Sequence, residues 1–450
     1  MSLVRFGVRL CELLVDYSYP EARGRMEPDS TSSHDKLAIL VGGGPAPGIN
    51  GVIASAAIEA INCGLQVIGL NDGFKWLVAG DSSHITELRI RDVSRIHFTG
   101  GSILRTSRTN PARSEESLEH AVQALTELGV RYLLCIGGDD TTYGAAKIAE
   151  RCRGRIGVAT VPKTIDNDLP LPENAVTFGF ETARAAGTAI IESLMEDART
   201  TGRWYLAVTM GRKSGSLALG MCKSAGATLA VIPEEFSGEY IELDNVVDTI
   251  VGAIIKRAAY GRDDGVALVA EGIAERLNPE TLKTLSNSSL DAYGHLHLAD
   301  IPLGWLLRDR IREALEGLNL GTTVVAKDIG YELRCAKPVP FDVEYTRTLG
   351  YGAVRYLLNG GSGALIAITG GRVTPVNLED LRDPQTGRIR VRMVDVGTES
   401  FEVARSYMIR LELSDFQEPE RARLASRTNL SPEAFARRFL SAVKATTASP

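Results

Sequence analysis

The chain has 450 residues, 44% of them hydrophobic and 24% charged, with a formal net charge of −6 at pH 7. That length suits two lobes with extensions, and the apolar fraction is enough to bury a sizeable core. The acidic balance argues against a nucleic-acid or anionic-membrane surface. Six cysteines, at 11, 63, 135, 152, 222 and 335, form no C-x-x-C pair and no metal-ligand spacing. They read as structural thiols of a reducing, cytoplasmic compartment.

Residues 3–15 are interrupted by Arg5, Arg9 and Glu12 and make a poor signal peptide or membrane span. Residues 21–35 are polar and rich in Ser and Thr, so residues 1–35 are expected to form a disordered or accessory leader, with Met26 as an alternative start. From residue 37 onwards apolar and amphipathic runs alternate. Strands are expected at 37–41, 66–70, 132–136, 156–161, 205–210, 228–232, 266–269, 322–326 and 364–368. Helices are expected between many of them, at 49–62, 117–128 and 142–151 among others. Such alternation builds mostly parallel sheets with helices on both faces, an α/β class. Nine strands exceed one compact half, so two lobes with a cleft between them are expected. The first lobe would take 36–176 and 336–415, the second 177–335, and 416–450 a C-terminal helical extension. The extension carries Arg421, Arg423, Arg427, Arg437 and Arg438, which read as a solvated face. His295 and His297 form an H-x-H without further ligands nearby, which does not make a metal site.

The chemistry concentrates where strands end. Gly137-Gly138-Asp139-Asp140 follows the 132–136 strand, and Lys163-Thr164-Ile165-Asp166-Asn167-Asp168 follows the 156–161 strand. In open α/β sheets the crevice beyond the carboxyl ends of the strands is where ligands bind. Four carboxylates buried there without partners would cost several kcal/mol, at the order of magnitude for buried ions. A metal and a phosphate account for them, and Asp139 offers the hard oxygen that Mg²⁺ prefers. The first strand ends in Gly42-Gly43-Gly44-Pro45-Ala46-Pro47-Gly48, whose backbone amides and following helix suit an anion. It lacks the Gly-Lys-Ser/Thr of a Walker A loop. Gly100-Gly101 leads to Arg105, Arg108 and Arg113, a solvated loop in isolation but an oxyanion clamp beside two phosphate loops. Met210-Gly211-Arg212 ends the 205–210 strand, with Arg203 just before it; Glu271-Gly272 and Tyr331-Glu332-Leu333-Arg334 follow two more. Arginines at such ends pair bidentately with phosphate, and Glu271 can accept from sugar hydroxyls.

In this order, G-G-x-x-A-P-G-x-N, G-G-D-D, T-I-D-N-D, M-G-R, E-G and Y-E-L-R resemble the phosphofructokinase family from about residue 37 to at least 356. The resemblance implies two Rossmann-like lobes with mostly parallel sheets, the active site in the cleft between them, and phosphorylation of the C1 hydroxyl of fructose 6-phosphate with Mg²⁺. It makes Asp166 the general base, Asp168 a support for the metal–phosphate geometry, and Thr164 a contact to the sugar. Arg212, with Met210 and Gly211, would bridge donor and acceptor. Glu271, Tyr331 and Arg334 would bind the sugar and its 6-phosphate, and Arg203 would reach across a subunit boundary of a homodimer or homotetramer. Arg108 and Gly44 would contact the donor, and Asp139 would bind Mg²⁺.

Two departures bear on the donor. ATP-using members carry G-G-D-G and G-T-I-D-N-D, whereas this chain has Asp140 and Lys163 at the two variable positions, as the pyrophosphate-dependent branch does. A carboxylate at 140 would repel a nucleotide's α-phosphate by roughly 4 kcal/mol at 4 Å and an effective dielectric of 20, about a thousandfold. Lys163 would put a cation beside the leaving phosphate and would have Asp140 as a partner. The resemblance thus implies reversible transfer from pyrophosphate, serving glycolysis and gluconeogenesis. The alternatives are an ATP-dependent phosphofructokinase with unusual loops, or a non-catalytic regulatory subunit, which should have lost Asp166 or Arg212. Val325 stands where an arginine of the 6-phosphate site is common, leaving Lys327 or Lys337 as substitutes.

Overall fold

The computed structural model describes residues 35–278 and 302–447. The leader with Met26 and Cys11, and the His295–His297 pair, lie outside the described residues. The apolar runs form β1 (Lys36–Val41), β2 (Gln66–Leu70), β3 (Ile85–Glu87), β4 (Val130–Gly137), β5 (Gly157–Thr164) and β6 (Phe178–Gly179). Then come β7 (Trp204–Thr209), β8 (Leu229–Val231), β9 (Gly265–Ala270) and β10 (Val324–Ile329), followed by β11 (Ala364–Thr369) and β12 (Arg372–Asn377). One sheet has the order β12-β11-β5-β4-β1-β2-β3 with β6 paired to β5; the other runs β10-β7-β9-β8. Among the described residues, only β3 and β12 run antiparallel to their neighbours, and both are edges. The three strands that the apolar pattern does not announce are β3, β6 and β12. The first is exposed along its length, the second has two residues, and the third carries Pro375, which an edge tolerates.

Register, more than strand content, builds the site. Val41 stands beside Ile136, and Ile136 beside Val161, so β1, β4 and β5 end level with one another. The glycine loop, Gly138–Asp140 and Lys163–Asp168 therefore leave the first sheet side by side, where β1 separates neighbours on two different chain excursions and the sheet opens a crevice. The second sheet repeats the device: Ile329 aligns with Thr209, and Thr209 with Ala270. Residues 330–334, 210–212 and 271 leave it together. Behind the glycine loop, the Ile49–Asn62 helix packs on the Pro340–Leu358 helix. A Cβ on Gly350 would lie 2.6 Å from the Val52 carbonyl oxygen, so glycine is what lets these helices cross closely.

The tail does more than present a charged face. Phe435 and Phe439, on the Pro432–Thr447 helix, are fully buried in one cluster with Trp204, Leu229, Val269 and the Leu243–Ala259 helix. Ahead of them, the Ile409 amide donates to the Thr228 carbonyl oxygen at 2.8 Å beside β8, an edge strand whose main chain needs partners. Arg410 is buried against Glu235, at 2.7 Å between Nη1 and Oε1, and also reaches the Ala230 carbonyl. Residues 409–415 thus belong with the second sheet, although the sequence places the return to the extension only at 416. Arg410 stands between Ile409 and Leu411, with no periodic pattern to announce its burial. Phe439→Ala should cost about 3–5 kcal/mol, read as a lower urea midpoint.

Candidate active site

The loops from the two sheets face each other across one cleft. From the first sheet its wall includes Gly43, Gly44, Arg108, Asp139, Asp140, Lys163, Thr164, Asp166 and Asp168; from the second, Met210, Arg212, Glu271, Tyr331 and Arg334. Asp139 and Asp140 open the Asp139–Cys152 helix, where acidic residues suit the positive end of the helix dipole. The Asp140 amide donates to Asp139 Oδ1 at 2.9 Å. Gly43 has φ +80°, and a Cβ there would come within 3.1 Å of Lys163 Nζ, so glycine leaves the space that the ammonium uses.

Lys163 is 4% exposed and donates to the Gly44 carbonyl oxygen at 2.5 Å. Asp166 and Asp168 are carboxylates that support its charge. Burial, then the positive field of Arg334, pushes its pKa down to about 8. Asp166 accepts from the Arg212 amide at 3.4 Å, a bond that crosses from one sheet's loops to the other's. Its own amide donates to Thr164 Oγ1 at 3.0 Å. Burial raises the Asp166 pKa, against the pull of the Arg212 amide and the Arg334 charge. Burial and the neighbouring Asp166 and Asp139 charges push Asp168 up to about 7. Glu271 accepts from the Gly211 amide at 3.2 Å, and burial with the Asp166 charge pushes it to about 7 as well. Asp139 goes the other way. Burial raises it, but Lys213 and Arg212 together hold it below the usual carboxylate range.

Several expected residues stand elsewhere. Arg203 precedes β7 while Met210 follows it, so six strand residues, about 20 Å, separate Arg203 from the cleft of its own chain. Its guanidinium lies 4.0 Å from Asp197. Of the three arginines in the Gly100 loop, Arg108 lines the cleft. Arg105, at φ +57°, turns outward to Asp72, and Arg113 is exposed on a helical turn beyond. Lys327 and Lys337 are exposed and outside the cleft wall. A residue that the motifs leave out is Lys213, whose ammonium pairs with Asp139 across the cleft at 3.2 Å. Its only sequence signal is adjacency to Met210-Gly211-Arg212.

Comparison with known proteins fits this geometry. A phosphofructokinase family profile matches residues 36–357. The chain belongs to the phosphofructokinase family. It is 55% identical over 391 residues to the pyrophosphate–fructose 6-phosphate 1-phosphotransferase of Thermotoga maritima, covering 86% of this chain and 93% of that protein. It is 49% identical over 413 residues to the enzyme of the same name from Naegleria fowleri, covering 90% and 94%. Among solved structures, the pyrophosphate-dependent phosphofructokinase of Nitrosospira multiformis superposes with a TM-score of 0.63 at 16% identity, covering 83% of this chain and 91% of that one. The Pichia pastoris phosphofructokinase superposes with a TM-score of 0.62 at 19% identity, and this chain spans 41% of it. At those identities the structures speak for the phosphofructokinase fold alone.

A lysine at pKa about 8 gives the cleft a pH signature. The cleft should bind inorganic phosphate less tightly as pH rises through 8, and Lys163→Met should remove that limb; calorimetric titration across pH 6.5–9.5, about the range that spans both states, measures it. The linked stability has the opposite sign. Because the folded pKa is the lower one, the cost of charged Lys163 is fully present below pH 8 and is relieved as pH rises toward the unfolded value.

Proposed function

We propose that the protein transfers a phosphoryl group from pyrophosphate to the C1 hydroxyl of fructose 6-phosphate, giving fructose 1,6-bisphosphate and phosphate. The observation that carries this reading is the presence of Asp140 and Lys163 on the wall of the same cleft as Asp166. The names of the Thermotoga and Naegleria relatives support it. Asp140 crowds and repels the α-phosphate of a nucleotide, while pyrophosphate, with no nucleoside to grip remotely, depends on cations such as Lys163 at the reacting centre. Lys163 regains its proton as the anion enters, because the added negative charge offsets its burial.

The donor lies against the first sheet's loops, with Gly44, Arg108 and Lys163 as its contacts, and the sugar against the second sheet's, with Glu271, Tyr331 and Arg334. Asp166 takes the proton from the C1 hydroxyl, and its raised pKa makes it a stronger base than an exposed aspartate. Thr164 holds the backbone of Asp166 and faces the sugar. Arg212 carries charge toward the phosphoryl group in flight, while its amide keeps Asp166 in place. Among the described residues, no group of three or more His, Cys, Asp or Glu side chains forms a metal cage. That suits Mg²⁺, which is held by one or two carboxylates with substrate phosphates and water. Asp139 and Asp168 would hold it, since the mutual repulsion that raises Asp168 is what a cation relieves. The ion would neutralise charge building on the phosphates.

The protein acts in the cytoplasm as a homodimer or homotetramer. The distance of Arg203 from its own cleft favours a role for it in the cleft of a second copy, and the five cysteines among the described residues are unbridged. The test is formation of fructose 1,6-bisphosphate with pyrophosphate and ATP side by side. Wild type should use pyrophosphate alone, and Asp140→Gly should gain measurable ATP use while losing pyrophosphate activity. Asp166→Asn should lower kcat by about 10²–10⁴-fold. Preference of the wild type for ATP overturns the donor; inactivity with both donors overturns the reaction.

A further inference from the structure

Past β12, and beyond the 36–357 stretch that the family profile matches, the chain passes back between the two halves. Ile389 is buried in one cluster with Leu169 and Leu171, just past the Asp166–Asp168 loop. Three residues on, Arg392 engages that loop directly. Its amide donates to the Asp168 carbonyl oxygen at 2.7 Å. Its Nε donates to the Asn167 carbonyl oxygen at 3.0 Å, Nη1 to the Ala175 carbonyl oxygen at 2.8 Å, and Nη2 to the Asn167 side-chain oxygen. Two residues later the Val394 amide donates to Glu234 Oε1 at 3.0 Å. The same oxygen accepts from the Gly215 amide at 2.8 Å, three residues past Arg212.

Asn167 lies between the two aspartates and has φ +55°, a left-handed conformation that asparagine tolerates but that needs outside support to be held. Its side-chain oxygen also accepts from the Thr177 amide at 3.1 Å. A turn of the backbone at Asn167 swings the residues on either side of it, and the hydrogen bond that the Arg212 amide donates to Asp166 across the cleft is long. The planar fork of Arg392 closes on three acceptors at once, a geometry that a lysine ammonium does not reproduce.

We propose that Arg392 is a positioning residue for phosphoryl transfer. It fixes the loop of Asp166 and Asp168 by gripping Asn167 between them, and the strand of chain from Arg392 to Val394 ties that loop, through Glu234, to the segment that follows Arg212. The base and the cationic clamp come from different sheets, and this link sets their separation. The inference rests on the roles proposed above for Asp166 and Arg212. Displacement by 1 Å at a reacting group costs about 10²-fold in rate, so loosening the grip should act on kcat first.

The experiment compares full-length wild type with Arg392→Ala, Arg392→Lys and Asn167→Gly, in kcat, both KM values and melting temperature, with and without millimolar guanidinium ion. Arg392→Ala should lose about 10²-fold in kcat with KM for both substrates little changed. Guanidinium should restore part of that loss and do nothing for wild type. Arg392→Lys should stay impaired, for want of the fork. Asn167→Gly keeps access to the left-handed backbone and removes the side-chain acceptor, so it should show the same kcat-selective loss even if Arg392→Ala folds poorly. Wild-type kcat in Arg392→Ala or Asn167→Gly overturns the proposal. So does a loss that tracks melting temperature and KM and ignores guanidinium. Asp166→Asn assayed alongside separates the two readings: wild-type kcat there removes the base assignment, whatever the Arg392 variants do.

Discussion

Negative charge is crowded into one cleft, and everything else in it answers that crowding. Asp139, Asp166, Asp168 and Glu271 follow three strands, β4 and β5 brought level by register in the first sheet and β9 in the second, and each of the last three is pushed toward neutrality by burial and by its neighbours. Left alone, such a cluster would protonate or open. Arg212, Arg334, Lys163 and Lys213 keep it together, and burial with the Arg334 charge lowers Lys163 in turn. The side chains of the cleft are therefore poised between two sets of like charges. On the proposed reading, a polyanion with a divalent cation would supply each set with what it lacks, and binding energy would be concentrated on the groups proposed to react.

Much of this was legible from residue order because the site is built from strand ends. Apolar runs mark the strands, and glycine and charged residues placed immediately after them mark the crevice; Asp139, Asp140, Lys163, Asp166, Arg212, Glu271 and Arg334 all follow that pattern and all meet in the cleft. What stayed hidden depends on partners distant in the chain. Arg105 and Arg108 look alike in sequence, and only the positive φ of Arg105 sends it to Asp72. Arg392 is one arginine among many, and its partner Asn167 lies 225 positions away. The short edge strands escaped for a related reason, since exposed or Pro-containing edges carry no alternating pattern.

The two sheets differ in how they are completed. The first draws its outer strands, β11 and β12, from chain that comes after the second sheet. The second is finished by the tail: the Ile409 amide beside β8, the buried Arg410–Glu235 pair, and the apolar face holding Phe435 and Phe439. A buried ion pair of this kind adds little to stability against an apolar substitute, yet losing one partner strands the other, so it enforces one docking geometry. Each half thus holds chain from both sides of the other, and the cleft is laced from behind.

That interleaving governs how the molecule comes into being. Chains fold in the order in which they are made, segment by segment. Here β1 through β6 emerge early but lack β11, and the Trp204–Val269 core lacks Phe435 and Phe439 until residues 432–447 have been synthesised. A nascent chain arrested shortly before that point would present the apolar faces of the second sheet and its helices to the cell. Synthesis of residues 432–447 is then the step that covers those faces, and until it has occurred folding factors that bind exposed apolar surface would have their opportunity.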